Sequence, residues 1–561
     1  MVEADSSLIA SRSQFTLKAL GTSTAFVLSI CAFLEPQWQS NDDVALSMVA
    51  HGYGLNAVSS PNLIFSNVLW GMLVQAMPWV GDTPGYSIAT LGVLVLIGTV
   101  ILVALAHSRV GALYSAGLLI LVLTRPVLFP QFTINAGLLC AAAIASVLAY
   151  AQGAGRSSLI LACVLAFLSF LIRSLEFFLV ILVAIPLIPW RQLADDKIAR
   201  IAMMSVTLAV LGAALTDKLA FKDERWQVFN QLDPVRAQFT DFGAAGFLMN
   251  SPEIIKHHGY SWNDIYLIKH WFFADPQLVN PQKLQLMLDE LGPLAYQAES
   301  LSKAMAGLRA LFHPHLLPLT LVSLLILVFR PSRRVAAAWI ISLCLFFGLG
   351  LAGRPGVIRV YIPVLTLLLL APLLGNQFGG NGETIRFRTQ RVLSTMLVIA
   401  TLWNTYIVAS ESQTLRLRYD KVRNDLNNFP TEPVVIWGSS FPFEAVYRVL
   451  TVKPDARNYK LYGLGVTTWA PYSYAAIEHD AGRGVIERIA SPDGIPIVAS
   501  TEAFKSLATY CDEHRHGVLQ ETKRETFGRV AVSWRRCGPA SPKVAEVTDR
   551  APAFKYGKGR R

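Results

Sequence analysis

Long apolar runs set the rhythm of this 561-residue chain. Stretches of about 17–25 residues with little charge recur, the length a helix needs to cross a ~30 Å hydrocarbon core. They predict spans near 16–35, 86–106, 111–125, 133–151, 157–173, 175–190, 200–216, 314–330, 335–352, 358–375 and 391–409, about eleven in all. The first has the outline of a signal sequence, but no small-x-small site closes it, so an uncleaved helix is expected. The segment 62–79, "NLIFSNVLWGMLVQAMPW", is apolar but interrupted by Asn62, Ser66, Asn67 and Gln75. It predicts a helix lying at, or dipping into, the interface.

Two stretches break the pattern. Residues 217–312 carry apolar positions at three- and four-residue spacing and predict amphipathic helices. After 409 the chain turns to short buried strands, "EPVVIWGSS" and "IPIVAS", then a helix over "TEAFKSLATYCDEH" and a strand over "GRVAVSW". The expected architecture is an α-helical polytopic membrane protein with a small C-terminal α/β domain. Its parts are a membrane domain over 1–409 with outer loops 36–85 and 217–312, a soluble domain over 410–540, and a disordered tail over 541–561.

Composition agrees: 53% of residues are hydrophobic and 16% charged. The net charge of +11 does not imply nucleic acid, because basic stretches interleaved with stacking aromatics are absent. The basic residues gather instead in short loops at Arg109, Arg156, Arg191–Arg200, Arg330–Arg334 and Arg386–Arg391, whereas the first outer loop, 36–61, has none. The positive-inside rule then places the N-terminus inside and the C-terminal domain outside. Of six cysteines, only Cys511 and Cys537 fall in the outer domain, where an oxidising compartment would let them pair. The outer segments lack an N-x-S/T sequon, which favours a bacterial inner membrane with a periplasmic C-terminal domain.

The candidate chemistry starts at Asp42 and Asp43, just beyond the first span. Neighbouring helical residues diverge by about 100°, so only one can easily face a given site. The alternative reading is capping of a helix that starts near Val44. A first helix followed by such an acid pair, a long outer loop with interfacial helices, many spans and an outer soluble domain resembles the GT-C superfamily of integral-membrane glycosyltransferases. The "PNLIF" at 61–65 is similar to the Pro-containing segment of such enzymes, without the basic residue found in some. The resemblance implies a sugar donor on a polyprenyl phosphate and a hydroxyl acceptor on a glycan, lipid or protein. It maps the general base, or acceptor-positioning acid, onto Asp42, in an inverting transfer. Some members use a divalent metal (Mg or Mn), for which Asp42 and Asp43 are the candidates here.

A departing lipid phosphate needs cations, and arginine binds phosphate oxygens in a planar fork. Arg125, Arg173, Arg354 and Arg359 lie near outer helix ends, against the positive-inside trend. Arg359 leads, since the family often places a basic residue between late helices. The alternatives are an Arg173–Glu176 ion pair and snorkelling of Arg354 and Arg359 to lipid headgroups. Asp233, Arg236, Asp241, Asp264, His313 and His315, with Glu176, are candidate acceptor or cavity-lining residues, or else solvated faces and caps. The adjacent His257 and His258 are poorly placed for joint metal binding. Competing functions are a lipid-linked glycan polymerase or ligase, a transporter or flippase, and a non-catalytic scaffold.

Overall fold

The computed structural model describes residues 2–294, 300–374, 383–426 and 428–539, so the tail 541–561 lies outside the described residues. Helices α1 (Val2–Leu34), α2 (Asn41–His51), α3 (Val68–Ala76), α4 (Gly85–His107), α5 (Ala112–Leu128), α6 (Phe132–Ala151), α7 (Arg156–Ile172) and α8 (Ser174–Ala184) open the chain. Each predicted span falls on a helix. Among the described residues, six helices are long and apolar enough to cross a membrane, and a seventh span arises if Ser300–Phe312 and Leu317–Phe329, bent by 82°, are one. Four more apolar helices, including α5, α7 and α8, are shorter.

The membrane domain is built around α6, which packs on α4, α7, α8 and the helix Ile358–Leu370. Its sequence, rich in alanine, allows close approach. At Gly137 an added Cβ would lie 2.5 Å from the ring of Pro363, so the two backbones meet only because the residue is glycine. Lys197–Ala220 faces the other way, with Ile201, Met204, Leu208, Leu211 and Leu215 exposed at helical spacing. Such a face suits lipid as its solvent.

The segment 62–79 is not one helix. Only Val68–Ala76 is helical, about 14 Å at 1.5 Å per residue and too short to cross. Its polar residues dock it instead. Asn67 caps α3 by accepting from Leu69 N and donates to Ala213 O at 2.9 Å, and Asp217 accepts from Val68 N at 2.8 Å.

Outside the helices lies a five-stranded sheet of β1 (Val434–Trp437), β2 (Leu461–Leu464), β3 (Ile495–Val498), β4 (Val518–Phe527) and β5 (Val530–Gly538), in the order β2-β1-β3-β5-β4. The first three are parallel, with Val434 opposite Leu461 and Val435 opposite Ile497; β5 and β4 complete the sheet antiparallel. Alternation along β1 explains its unbroken apolar run. Val434 and Ile436 join the core of the membrane domain, while Val435 and Trp437 face the other way. There they share a core with Leu232, Phe239, Ile268, Phe272 and Met287 of the 217–312 loop. That loop is therefore a covering layer of the sheet as much as an appendage of the membrane domain. Cys511 and Cys537 form a disulfide between the helix Thr501–Arg515 and β5, with Cα atoms 5.6 Å apart.

The last apolar helix runs on as Glu383–Asp425, well past the expected boundary at 409, and carries the chain into the C-terminal domain. Its C-terminal end helps hold the turn between α1 and α2. Glu35 sits there at φ 48°, paired with Arg416 at 3.2 Å and Arg448 at 2.9 Å, while Arg448 also binds Asp420 at 2.7 Å. Arg448 is buried, so Arg448→Ala removes the closer cation from Glu35 and Asp420, leaves both to Arg416 alone, and is expected to cost on the order of 1 kcal/mol. A lowered thermal midpoint in detergent checks this; an unchanged one would mean the clamp bears no load.

Candidate functional site

The first turn of α2 sends its two acids in different directions. Its N-cap is Ser40, without a side-chain cap bond, so neither aspartate caps its own helix. Asp43 is fully buried, and its Oδ1 accepts from Tyr86 Oη at 2.9 Å and Phe132 N at 3.0 Å. Phe132 opens α6, so Asp43 satisfies a free N–H of that central helix rather than of α2. Capping was the right chemistry for Asp43, with a different helix as its object. Burial pushes the Asp43 carboxyl up to about 8, helped by the charge of Asp42 and opposed by Tyr86, the Phe132 N–H and Arg359. Asp42 points elsewhere. Its side chain is 30% exposed, and its Oδ2 lies 3.1 Å from Arg359 Nη1.

Arg173 is brought to the same region. Its guanidinium lies over the rings of Phe65 and Phe132, at 5.1 and 5.5 Å, and donates to Phe65 O at 3.2 Å. It is within electrostatic reach of Arg359, Glu176, Asp42 and Arg354. Glu176 is buried, and among the described residues its Oε1 has no hydrogen-bond partner. Among the described residues no ion pair closes between Arg173 and Glu176. Asp42, Arg359, Arg173 and Glu176 thus form one neighbourhood at the end of the membrane helices.

The other predicted residues go elsewhere. Arg354 pairs with Asp241 at 3.2 Å, and Arg236 lies 3.9 Å from Asp241 and pairs with Asp233. This chain of two cations and two acids braces Trp271, whose ring lies 5.0 Å from the Arg236 guanidinium. Arg125 is buried against Glu411 at 2.8 Å, His315 at 3.1 Å and Gln39 at 3.2 Å, with His313 against His315. That cluster fills the corner of the 82° bend. Asp264 closes a capping box with Ser261 and accepts from His514 at 2.8 Å, tying the 217–312 segment to the helix Thr501–Arg515.

Asp42 also borders a cavity of about 680 Å³ between α2 and the sheet. Its wall includes Phe65, Tyr266, His270, Trp271, Trp437 and the loops that leave β1, β2 and β3. The run "EPVVIWGSS" marks a strand but not this wall, and Tyr266 and Trp271 sit inside an amphipathic pattern. Parallel strands ending in "GSS", "GLGVT" and "AST" were the available signal, because ligands favour the carboxyl ends of such strands.

Hard cations want several oxygens; in the aspartate pair Asp43 Oδ1 is committed to Tyr86 and Phe132 and Asp42 Oδ2 to Arg359, while among the described residues the buried Asp43 Oδ2 has no hydrogen-bond partner. Among the described residues the groups with metal-ligand proximity are His257–His258–Glu290 and Asp264–Glu513–His514, neither of which includes them. In the first, both imidazoles pair with one Glu290 oxygen at 2.9 Å.

No protein-family model matches the chain, and no curated protein matches it. Among solved structures, the crystal structure of ArnT from Cupriavidus metallidurans bound to undecaprenyl phosphate is similar at 11% identity and a TM-score of 0.33. The likeness covers 94% of this chain and 98% of that one.

The raised Asp43 value has a consequence for stability. Its ordinary value is 3.8, so between about pH 4 and pH 8 the folded protein keeps a proton that the unfolded chain releases. The stabilisation is complete below that window and is lost as pH rises through the folded value. Asp43→Asn keeps a carbonyl for Tyr86 and Phe132 and removes the titration. Its thermal midpoint is expected to fall less than that of the wild type between pH 5 and pH 9, and equal slopes would contradict a neutral buried acid.

Proposed function

We propose that the chain is a membrane glycosyltransferase that moves a sugar from a polyprenyl-phosphate donor to a hydroxyl acceptor, at the outer face of a bacterial inner membrane. The observation that carries this reading is the Asp42–Arg359 pair at 3.1 Å beside the cavity, with Arg173 in reach. A carboxylate, two guanidiniums and an adjoining cavity at the end of membrane helices suit a lipid phosphate whose sugar projects out of the bilayer.

In this reading the acceptor hydroxyl passes its proton to Asp42 while its oxygen attacks the anomeric carbon. The bond from that carbon to the phosphate oxygen breaks, and its electron pair leaves with the lipid phosphate. Arg359 and Arg173 stabilise the charge that develops there. A single displacement inverts the anomeric centre. At rest, Arg359 occupies Asp42; a bound phosphate draws the guanidinium away and frees the carboxylate to act as base. Asp43 anchors the helix that carries its neighbour. The 82° break is a feature a transporter would share, but its corner is closed by the Arg125–Glu411–His315 cluster.

The test uses purified protein and a panel of radiolabelled polyprenyl-phosphate sugars, with transfer and lipid-phosphate release as readouts. Asp42→Asn is expected to lower transfer about 10²–10⁴-fold, and Arg359→Lys to retain more activity than Arg359→Ala while losing the bidentate grip. Wild-type rates in Asp42→Asn would reject the base assignment.

A further inference from the structure

We infer that the crevice at the carboxyl ends of β1, β2 and β3 is the acceptor subsite, and that it takes an uncharged, hydroxyl-rich glycan. This rests on the transferase reading above and gives the C-terminal domain a role in it. With the strand order β2-β1-β3, the connections leaving β1 and β3 diverge to opposite faces of the sheet and open a crevice between them, where doubly wound sheets bind ligands. Here Gly438–Ser440 leaves β1, Gly465–Thr467 leaves β2 and Ser500 follows β3, and all three border the cavity that Asp42 also borders. A ligand seated in the crevice therefore presents one end to the proposed base.

The lining defines the ligand. Half-buried Tyr266 and Trp271 offer aromatic surface, suited to the apolar faces of sugar rings. Trp271 is held at φ 69°, a costly conformation for a bulky residue, with Arg236 bracing its ring. The side chains of Ser439, Ser440 and Thr467 make no hydrogen bond among the described residues and are free to bond a polyol. The charged residues in the lining are Asp42 and Glu502, and no lysine or arginine is among the described lining residues. Arg359, which pairs with Asp42 from outside the lining, and Arg173 are not part of it. An acceptor bearing carboxylates or phosphates would meet Glu502 and an already engaged Asp42, with no cation of the crevice itself to receive it. Asp42 thus divides an anion-binding side toward the membrane helices from a neutral side toward the sheet.

The test is binding to the full-length protein in detergent, read by saturation-transfer NMR and tryptophan fluorescence. The probes are neutral trisaccharides of glucose, mannose, galactose or arabinose, with trigalacturonate as a charged probe of similar size. At least one neutral trisaccharide is expected to bind, and trigalacturonate about tenfold or more weakly. Trp271→Ala is expected to weaken the neutral ligand about tenfold. Ser439→Lys, on the exposed rim, is expected to shift preference toward trigalacturonate without loss of fold. Equal or tighter binding of trigalacturonate by the wild type, no binding of any neutral probe, or indifference to both variants would overturn the assignment. Glycan binding without lipid-phosphate release from any donor would instead overturn the transferase reading and leave the crevice a glycan site.

Discussion

A guanidinium and a carboxylate 3.1 Å apart, where the apolar helices meet the C-terminal sheet domain, constrain most of what surrounds them. Neither charge is cheaply left alone at such a boundary, and each neutralises the other at rest. The pair is only partly exposed, so it is both strong and open to exchange. In the proposed reaction a phosphate arriving at Arg359 would compete directly with Asp42, so that one contact would couple donor binding to the release of the base.

The surroundings hold this contact in place from both sides. Glu35, clamped by Arg416 and Arg448, fixes the turn into α2. Asp43 fastens the first turn of α2 to the N-terminus of α6, the most enclosed helix of the membrane domain. Adjacent acids thus divide the labour: the buried one anchors, the accessible one faces the cavity. The helix Ile358–Leu370, which carries Arg359, is seated on α6 through Gly137 and Pro363. Asp42 and Arg359 are 317 positions apart in the chain and are registered through one common helix.

The helices were legible because period and length are local properties. Each predicted span overlaps a helix, although 175–190 is helical only to Ala184 before its turn and six or seven of the helices are long enough to cross, and β1, β3, β5 and the helix after β3 follow their apolar runs. The strand β2 was missed because four residues containing a glycine carry little pattern, and β4 because its sequence, "VLQETKRETF", is polar at an exposed edge. The segment 62–79 was read as too regular, since the docking of Asn67 and Asp217 is a tertiary event. Within the site, Asp42, Arg173 and Arg359 stood out as charges at helix ends, where burial makes charge informative. Arg125 and Arg354 stood out equally, and only the fold reveals the acids that occupy them. Tyr266, Trp271 and the strand-end loops carried no charge to mark them.

The most direct measurement is the affinity of a sugar-free polyprenyl phosphate for the wild type and for Asp42→Asn, by calorimetry in detergent. If Asp42 and the lipid phosphate compete for Arg359, the neutral variant binds the phosphate more tightly although it cannot transfer sugar. Weaker or unchanged binding in Asp42→Asn would show that the carboxylate and the phosphate do not share that guanidinium, and would contradict the account at its centre.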